Sequence, residues 1–212
     1  MHRTLLLAAA SAAAAILLTG CVPQSADAGR QPSTAGATLS AEPVSPEVLF
    51  DGPWLVEEGV WYLGPDGVVP RFRPGDQRTG LLDVVRRAAW VTGPALYGEY
   101  PVRVELYTAR PAVPAWCEDV VEVSLDVSVR GLTFGSFESW SEAMPVPAGS
   151  HRIRLCTRGL DAAAAETADD EFDGDGYRRY SSRHLFQLWP APPRPPRVVR
   201  AGSAFARSVR PH

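Results

Sequence analysis

The sequence predicts a mainly β chain: an antiparallel β-sandwich with one or two short helices. Three observations point there. Val121, Val123, Leu125, Val127 and Val129 alternate with Glu122, Ser124, Asp126, Ser128 and Arg130, the period of a strand with one buried and one wet face. Two turn-forming runs, Gly64-Pro65-Asp66-Gly67 and Pro147-Ala148-Gly149-Ser150, punctuate short apolar-polar segments, as in sandwiches and barrels. A wet face also disfavours a parallel α/β sheet, whose strands are apolar on both sides.

The N-terminus comes first. Arg3 gives a short positive region, residues 5–18 are apolar and mostly Leu and Ala, and small Gly20 precedes a cysteine. That order is a secretory signal, and the run is short of the roughly 20 residues a transmembrane helix needs. The run closes on Leu18-Thr19-Gly20-Cys21, which resembles a bacterial lipobox. The resemblance implies that residues 1–20 are cut away and that the Cys21 thiol carries lipid, on the outer face of the cytoplasmic membrane. An ordinary cleaved signal or a short anchor are the other readings. Residues 21–46, rich in Ala, Ser, Thr, Pro and Gly, read as a flexible tether reaching roughly 25–30 Å as a random coil.

The folded domain is expected over residues 47–200, long enough for one core. Beyond the strand at 120–130, the same alternation appears at 102–107 and 152–155, and further strands are expected at 59–63, 67–72, 88–92, 132–137, 141–146 and 183–189. Helices are expected at 80–89, where Leu81, Leu82, Val85 and Ala89 share a face, and at 160–170. Pro190-Ala191-Pro192-Pro193-Arg194-Pro195-Pro196-Arg197 has polyproline character and reads as a stiff closing strand or spacer. Residues 201–212 read as a disordered basic tail.

Every one of the 21 basic residues is Arg, and there is no Lys or Asn, which we read as codon bias. Loss of residues 1–20 removes Arg3 and no acid, taking the formal charge from −3 to −4. No basic face asks for nucleic acid. With Cys21 assigned to lipid, Cys117 and Cys156 form an even pair in an oxidising compartment. Joined, they close a loop of about 40 residues, worth roughly 3.5–4 kcal/mol. The bridge would lie on the outer face of a sheet, because Cys156 alternates with Arg152 and Arg154 against Ile153 and Leu155. Two separate buried thiols are the alternative.

Catalytic and metal motifs are weak. Asp169, Glu171, Asp173 and Gly174 fall at calcium-loop positions, but Tyr180 stands where a bidentate Glu is required. His151, His184 and His212 lack zinc-site spacing. Gly135-Ser136-Phe137-Glu138-Ser139 starts like a nucleophile elbow without the closing Gly. No cofactor is expected. Of six Trp, Trp61, Trp90 and Trp189 sit in apolar strands and are expected in the core. Trp54, Trp116 and Trp140, beside Pro or Ser, are the candidate ligand contacts, since exposed rings stack on sugars or partner surfaces.

The stretch 120–190 runs from an alternating strand through Pro147-Ala148-Gly149-Ser150-His151-Arg152-Ile153-Arg154 to Leu185-Phe186-Gln187-Leu188-Trp189-Pro190. It is similar to small β-sandwiches of the competence protein J type, a nuclease-inhibitor family. That resemblance implies the fold; the lipobox departs from the family. The readings of function are a lipid-anchored extracytoplasmic binding protein for an envelope protein or wall polymer, an inhibitor or immunity protein whose acidic loop mimics an anionic substrate, and a hydrolase with a site assembled from distant residues.

Overall fold

The computed structural model describes residues 45–65, 71, 73, 75–136, 139–168 and 178–211. The signal segment, nearly all of the tether, all but residue 71 of the strand expected at 67–72, the acidic loop 169–175 and His212 lie outside the described residues.

Among the described residues, ten strands form two packed sheets. The strands are β1 (Glu47–Val56), β2 (Val60–Gly64), β3 (Leu82–Val85), β4 (Ala88–Thr92), β5 (Gly98–Leu106), β6 (Asp119–Val127), β7 (Thr133–Gly135), β8 (Gly149–Arg158), β9 (Arg183–Pro190) and β10 (Arg197–Ala201). Sheet A has six strands, ordered β1-β5-β9-β8-β6-β10, and sheet B has four, ordered β3-β4-β2-β7. Two short helices, α1 (Leu160–Ala168) and α2 (Ala204–Ser208), complete the fold. Among the described residues no helix is long and apolar enough to cross a membrane.

The alternation seen in the sequence sorts sheet A into two faces. Val121, Val123 and Leu125 of β6, Ile153 and Leu155 of β8, Val102 and Val104 of β5, and Phe186 and Leu188 of β9 are all buried between the sheets. Trp61 of β2, fully buried, meets Phe134 and Phe186 at 5.5 and 5.4 Å between ring centres. The edge-on Trp61–Phe186 pair joins the two sheets beyond simple area burial. The same register puts Arg152 and Arg154, Gln187, and Arg103 and Glu105 on the other face.

Four expectations are corrected. Sheet A is mixed: β9 pairs antiparallel with β8 but parallel with β5. The chain enters β9 after α1, beside β8, and the remaining edge of β9 then faces β5, whose direction β1 has set. Residues 80–89 form the hairpin β3–β4, not a helix. Its turn places Arg86 at φ 59°, and Asp83 accepts hydrogen bonds from the backbone N–H groups of Arg78, Thr79 and Gly80 at 2.8, 2.8 and 2.9 Å. That local cap competes with helical geometry. Residues 141–146 make no strand, only a bridge from Met144 to Leu132. The expected disordered tail instead carries α2. Ser203 caps it, accepting from the Ala206 N–H at 3.0 Å. Asp161 accepts from the Ala204 and Phe205 N–H groups at 2.9 and 2.8 Å, and Asp119 accepts from those of Gly202 and Ser203 at 2.8 and 3.0 Å. β1 and β10 are strands that the pattern did not announce.

Candidate binding face

The outer face of sheet A carries one connected polar network spanning five strands. On β1, Asp51 pairs with Arg103 of β5. The Arg103 Nε donates to Glu105 at 2.8 Å, and Glu105 accepts from the Tyr107 hydroxyl at 2.7 Å. Burial and this carboxylate push the phenol up to about 12. Gln187 of β9 donates to the Tyr107 oxygen at 3.2 Å and accepts from Arg154 of β8 at 2.9 Å. Arg154 holds Glu122 of β6 through Nε and Nη2 at 3.0 and 2.8 Å. Arg110 reaches the same carboxylate at 3.0 Å, and Arg152 approaches it at 3.7 Å. Arg154 also stacks its guanidinium 5.0 Å above the Trp189 ring.

Glu122 is 4 % exposed and Arg154 1 %. Burial raises the Glu122 carboxyl, but hydrogen bonds and charge from Arg154 and Arg110 outweigh it and hold the group below its ordinary value. Burial lowers the Arg152 guanidinium, against the pull of Glu122. Buried charges of this kind are tolerated only when well paired.

Two irregular segments lie over the network, and the network ties them down. Arg154 donates to the Pro111 carbonyl at 3.0 Å. Arg152 donates to the carbonyls of Arg194 and Pro195 at 2.9 and 3.3 Å, and the Arg194 N–H donates to Ser124 Oγ at 2.9 Å. The polyproline run is thus a strap across the sheet. Clefts open beside it and along the face. One of about 640 Å³ lies between residues 108–110 and the strap, floored by Glu122, Arg152 and Trp189. One of about 450 Å³ runs over β1, β5 and β9 by Asp51, Arg103, Arg183 and Trp116, and one of about 310 Å³ adjoins Trp116, Arg158 and Arg183.

Cys117 and Cys156 are joined, with Cα atoms 5.4 Å apart. The bridge lies on this outer face in a small apolar cluster with Val120 and Leu185, and Trp116 packs on it half-buried. The disulfide therefore fixes the segment that presents Trp116.

The structure separates the three candidate Trp. Trp116 lines two clefts. Trp54 is 8 % exposed and packs on Phe134 at 5.4 Å, so it is not available as a contact. In β1 it shares its face with Val56, which turns it into the core despite the adjacent Pro53. Trp140 is half-buried, edge-on to Tyr62 at 5.2 Å. Of the Trp expected in the core, Trp61 is there, Trp90 is half-buried, and Trp189 is buried on the outer face instead.

The remaining chemical candidates are dispersed. His151 sits opposite Pro190, and His184 opposite Thr157, on β8 and β9. Six residues of strand hold the two apart by about 20 Å. Ser136 is buried, its Oγ accepting from the Glu57 N–H at 2.7 Å. Among the described residues no group of three or more His, Cys, Asp or Glu is gathered as metal ligands would be. Glu122, Arg154 and Gln187 are the site residues that sequence reasoning passed over. Their signal was present, since all three stand at wet-face positions of alternating strands.

This geometry defines a disulfide-bearing β-sandwich with a preorganised polar face. No family model matches the chain, and no curated protein does. Among solved structures it is similar to ComJ from Bacillus subtilis, an inhibitor of the DNA-degrading activity of NucA, at 10 % identity over 69 % of this chain and 99 % of that one, with a TM-score of 0.48. It is also similar to the protein of crocagin biosynthetic gene J, at 15 % identity over 70 % of this chain and 99 % of that one, with a TM-score of 0.45. Neither likeness transfers a partner or an activity to this chain.

Proposed function

We propose that the chain is a binding protein, held outside the cytoplasm by lipid on Cys21, that engages an envelope protein or wall polymer through the outer face of sheet A. The observation that carries this reading is the network from Asp51 to Ser124. It fixes charged side chains and two covering segments in one geometry, and a face ordered before contact loses less entropy on binding. Two acyl chains suffice for stable attachment where one gives only marginal binding.

In its inhibitor form, the bound partner is an enzyme arriving at the envelope, blocked by the same rigid face. Preformed charged faces suit that task, since inhibitor interfaces move little on binding.

A photo-crosslinking residue placed at Trp116 in living cells is expected to capture a discrete partner. The same residue at Val129, which is 91 % exposed in the turn after β6, is expected to capture none. No capture at 116, or equal capture at both positions, refutes the binding face. Cys21→Ser is expected to release the chain to the medium or leave it uncleaved. Unchanged maturation and membrane retention refute the anchor.

A further inference from the structure

The charge of the strap cleft does not balance. Glu122 is the only acid in its lining, which also holds Arg110, Arg152, Arg194 and Arg197. That one carboxylate already receives Arg154 and Arg110 at 2.8 and 3.0 Å. Arg152, with its side chain 5 % exposed, lies 3.7 Å from it and spends Nη1 on neutral acceptors, Ser124 Oγ at 3.0 Å and two strap carbonyls. The guanidinium groups of Arg194 and Arg197 are exposed and have no ion-pair partner among the described residues. Arg194 and Arg110 both bear on Arg152 as like charges.

Arginine is the only basic residue type in this chain, so its choice over Lys carries no weight. Its placement does. Both walls of the cleft are pinned by buried arginines, residues 108–111 by Arg154 through the Pro111 carbonyl and the strap by Arg152. Pro190, Pro192, Pro193, Pro195 and Pro196 further restrict the strap backbone. Arg110, Arg194 and Arg197 are therefore held around one opening of about 640 Å³, with Trp189 in its floor. Planar guanidinium forks match the paired oxygens of phosphate and carboxylate.

We propose that this cleft binds an oxyanion, a phosphate or carboxylate group carried by a ligand, with Arg110, Arg194 and Arg197 as its contacts. Arg152 and Arg154 act beneath them as positioning residues. The proposal rests on the outer face being the binding face, but it concerns the end away from Trp116.

The test is calorimetric titration of the full chain in detergent, at low and high salt, with three probes: inorganic phosphate, poly(glycerol phosphate) and polygalacturonate. Saturable binding of at least one, weakened by salt, is expected. Arg194→Ser with Arg197→Ser is expected to weaken it about tenfold or more, given the usual strength of charged hydrogen bonds, with the melting temperature unchanged. Binding of free phosphate as tight as that of either polymer assigns the site to a small anion. Preference for a polymer assigns it to a wall component. Both outcomes support an oxyanion site. No saturable binding of any probe, or a double variant that binds like the parent, overturns it. Val129→Ser, in the exposed turn after β6, is expected to leave binding intact; equal loss in that variant overturns the placement at the strap. Anion binding that survives while crosslinking at 116 fails would refute the proposed partner and leave this site standing.

Discussion

Replacing Glu122 with Ala tests the network at its centre. The carboxylate is 4 % exposed and is shared by Arg154, Arg110 and Arg152. Removing one member of a buried ion pair costs about 3–5 kcal/mol, because the partner charge stays buried and unpaired. In a domain of this size each kcal/mol moves the melting temperature by about 2–4 °C, so a fall of roughly 6–20 °C is expected. Arg110 is half-exposed and can turn to water, so Arg154 and Arg152 carry most of the loss. Glu122→Gln retains an acceptor and should fall between Ala and the parent. The carboxyl lies below its ordinary 4.5 in the fold, so its contribution is complete above that value and fades as the pH drops through the folded one. The gap between parent and Glu122→Ala is therefore widest at pH 7 and narrows below pH 4.5. His184 is common to both chains and cancels in the difference. Thermal unfolding followed by circular dichroism at pH 7 and pH 3.5 measures both effects. A variant within 1 kcal/mol of the parent at pH 7, or a gap indifferent to pH, would refute the argument that Glu122 is the ion-pair partner of the buried arginines.

Three further predictions follow from other parts of the fold. Changing Cys117 and Cys156 together to Ala opens a bridge between residues 39 apart, and scanning calorimetry should show a loss of about 4 kcal/mol, matched by the parent under reductant. His184, ringed by Trp61 and Tyr100 at 5.4 and 5.0 Å, is pushed down to about 3 by burial, against a backbone hydrogen bond at Ser182. The unfolded chain then takes up the proton first as pH falls below 6.5, so urea melts of the parent should weaken from pH 6.5 to 4.5 and those of His184→Phe should stay flatter. Asp161→Ala removes the carboxylate that accepts two N–H groups of α2, at a cost of about 1 kcal/mol, and trypsin should cut after Arg207 sooner than in the parent.

How much was legible depended on whether one face of an element met water. β6 could be read directly because Glu122 and Ser124 interrupt its valines, and β5, β8 and β9 follow the same rule. β4 was legible as the strand at 88–92, but β3 was not. Leu82, Asp83, Val85, Ala88 and Ala89 are all buried, so period 2 vanishes and the apolar spacing mimics a helix. β1 was hidden by Gly52 and Pro53, which are tolerated because the strand lies at the sheet's edge. β10 was hidden by the prolines before it. The binding face was legible as polar positions but not as a network. Nothing in the sequence says that Arg154 of β8 meets Glu122 of β6 and Gln187 of β9, since that depends on strand order. The placement of Trp54 turned on the phase of β1, and that of Trp116 on the disulfide.

The position of β9 bears on how this chain reaches its folded state. It spans Arg183–Pro190, yet it lies between β5, which ends at Leu106, and β8, which ends at Arg158. Until residue 190 has emerged, β1 and β5 can form only an isolated antiparallel pair, and β8 and β6 another. Two-stranded units of that kind are marginal in water, and contacts of such long sequence separation form slowly. Sheet A cannot close while its C-terminal portion is still in transit. On the export proposed above, late insertion of the central strand would keep the chain translocation-competent until nearly all of it has crossed.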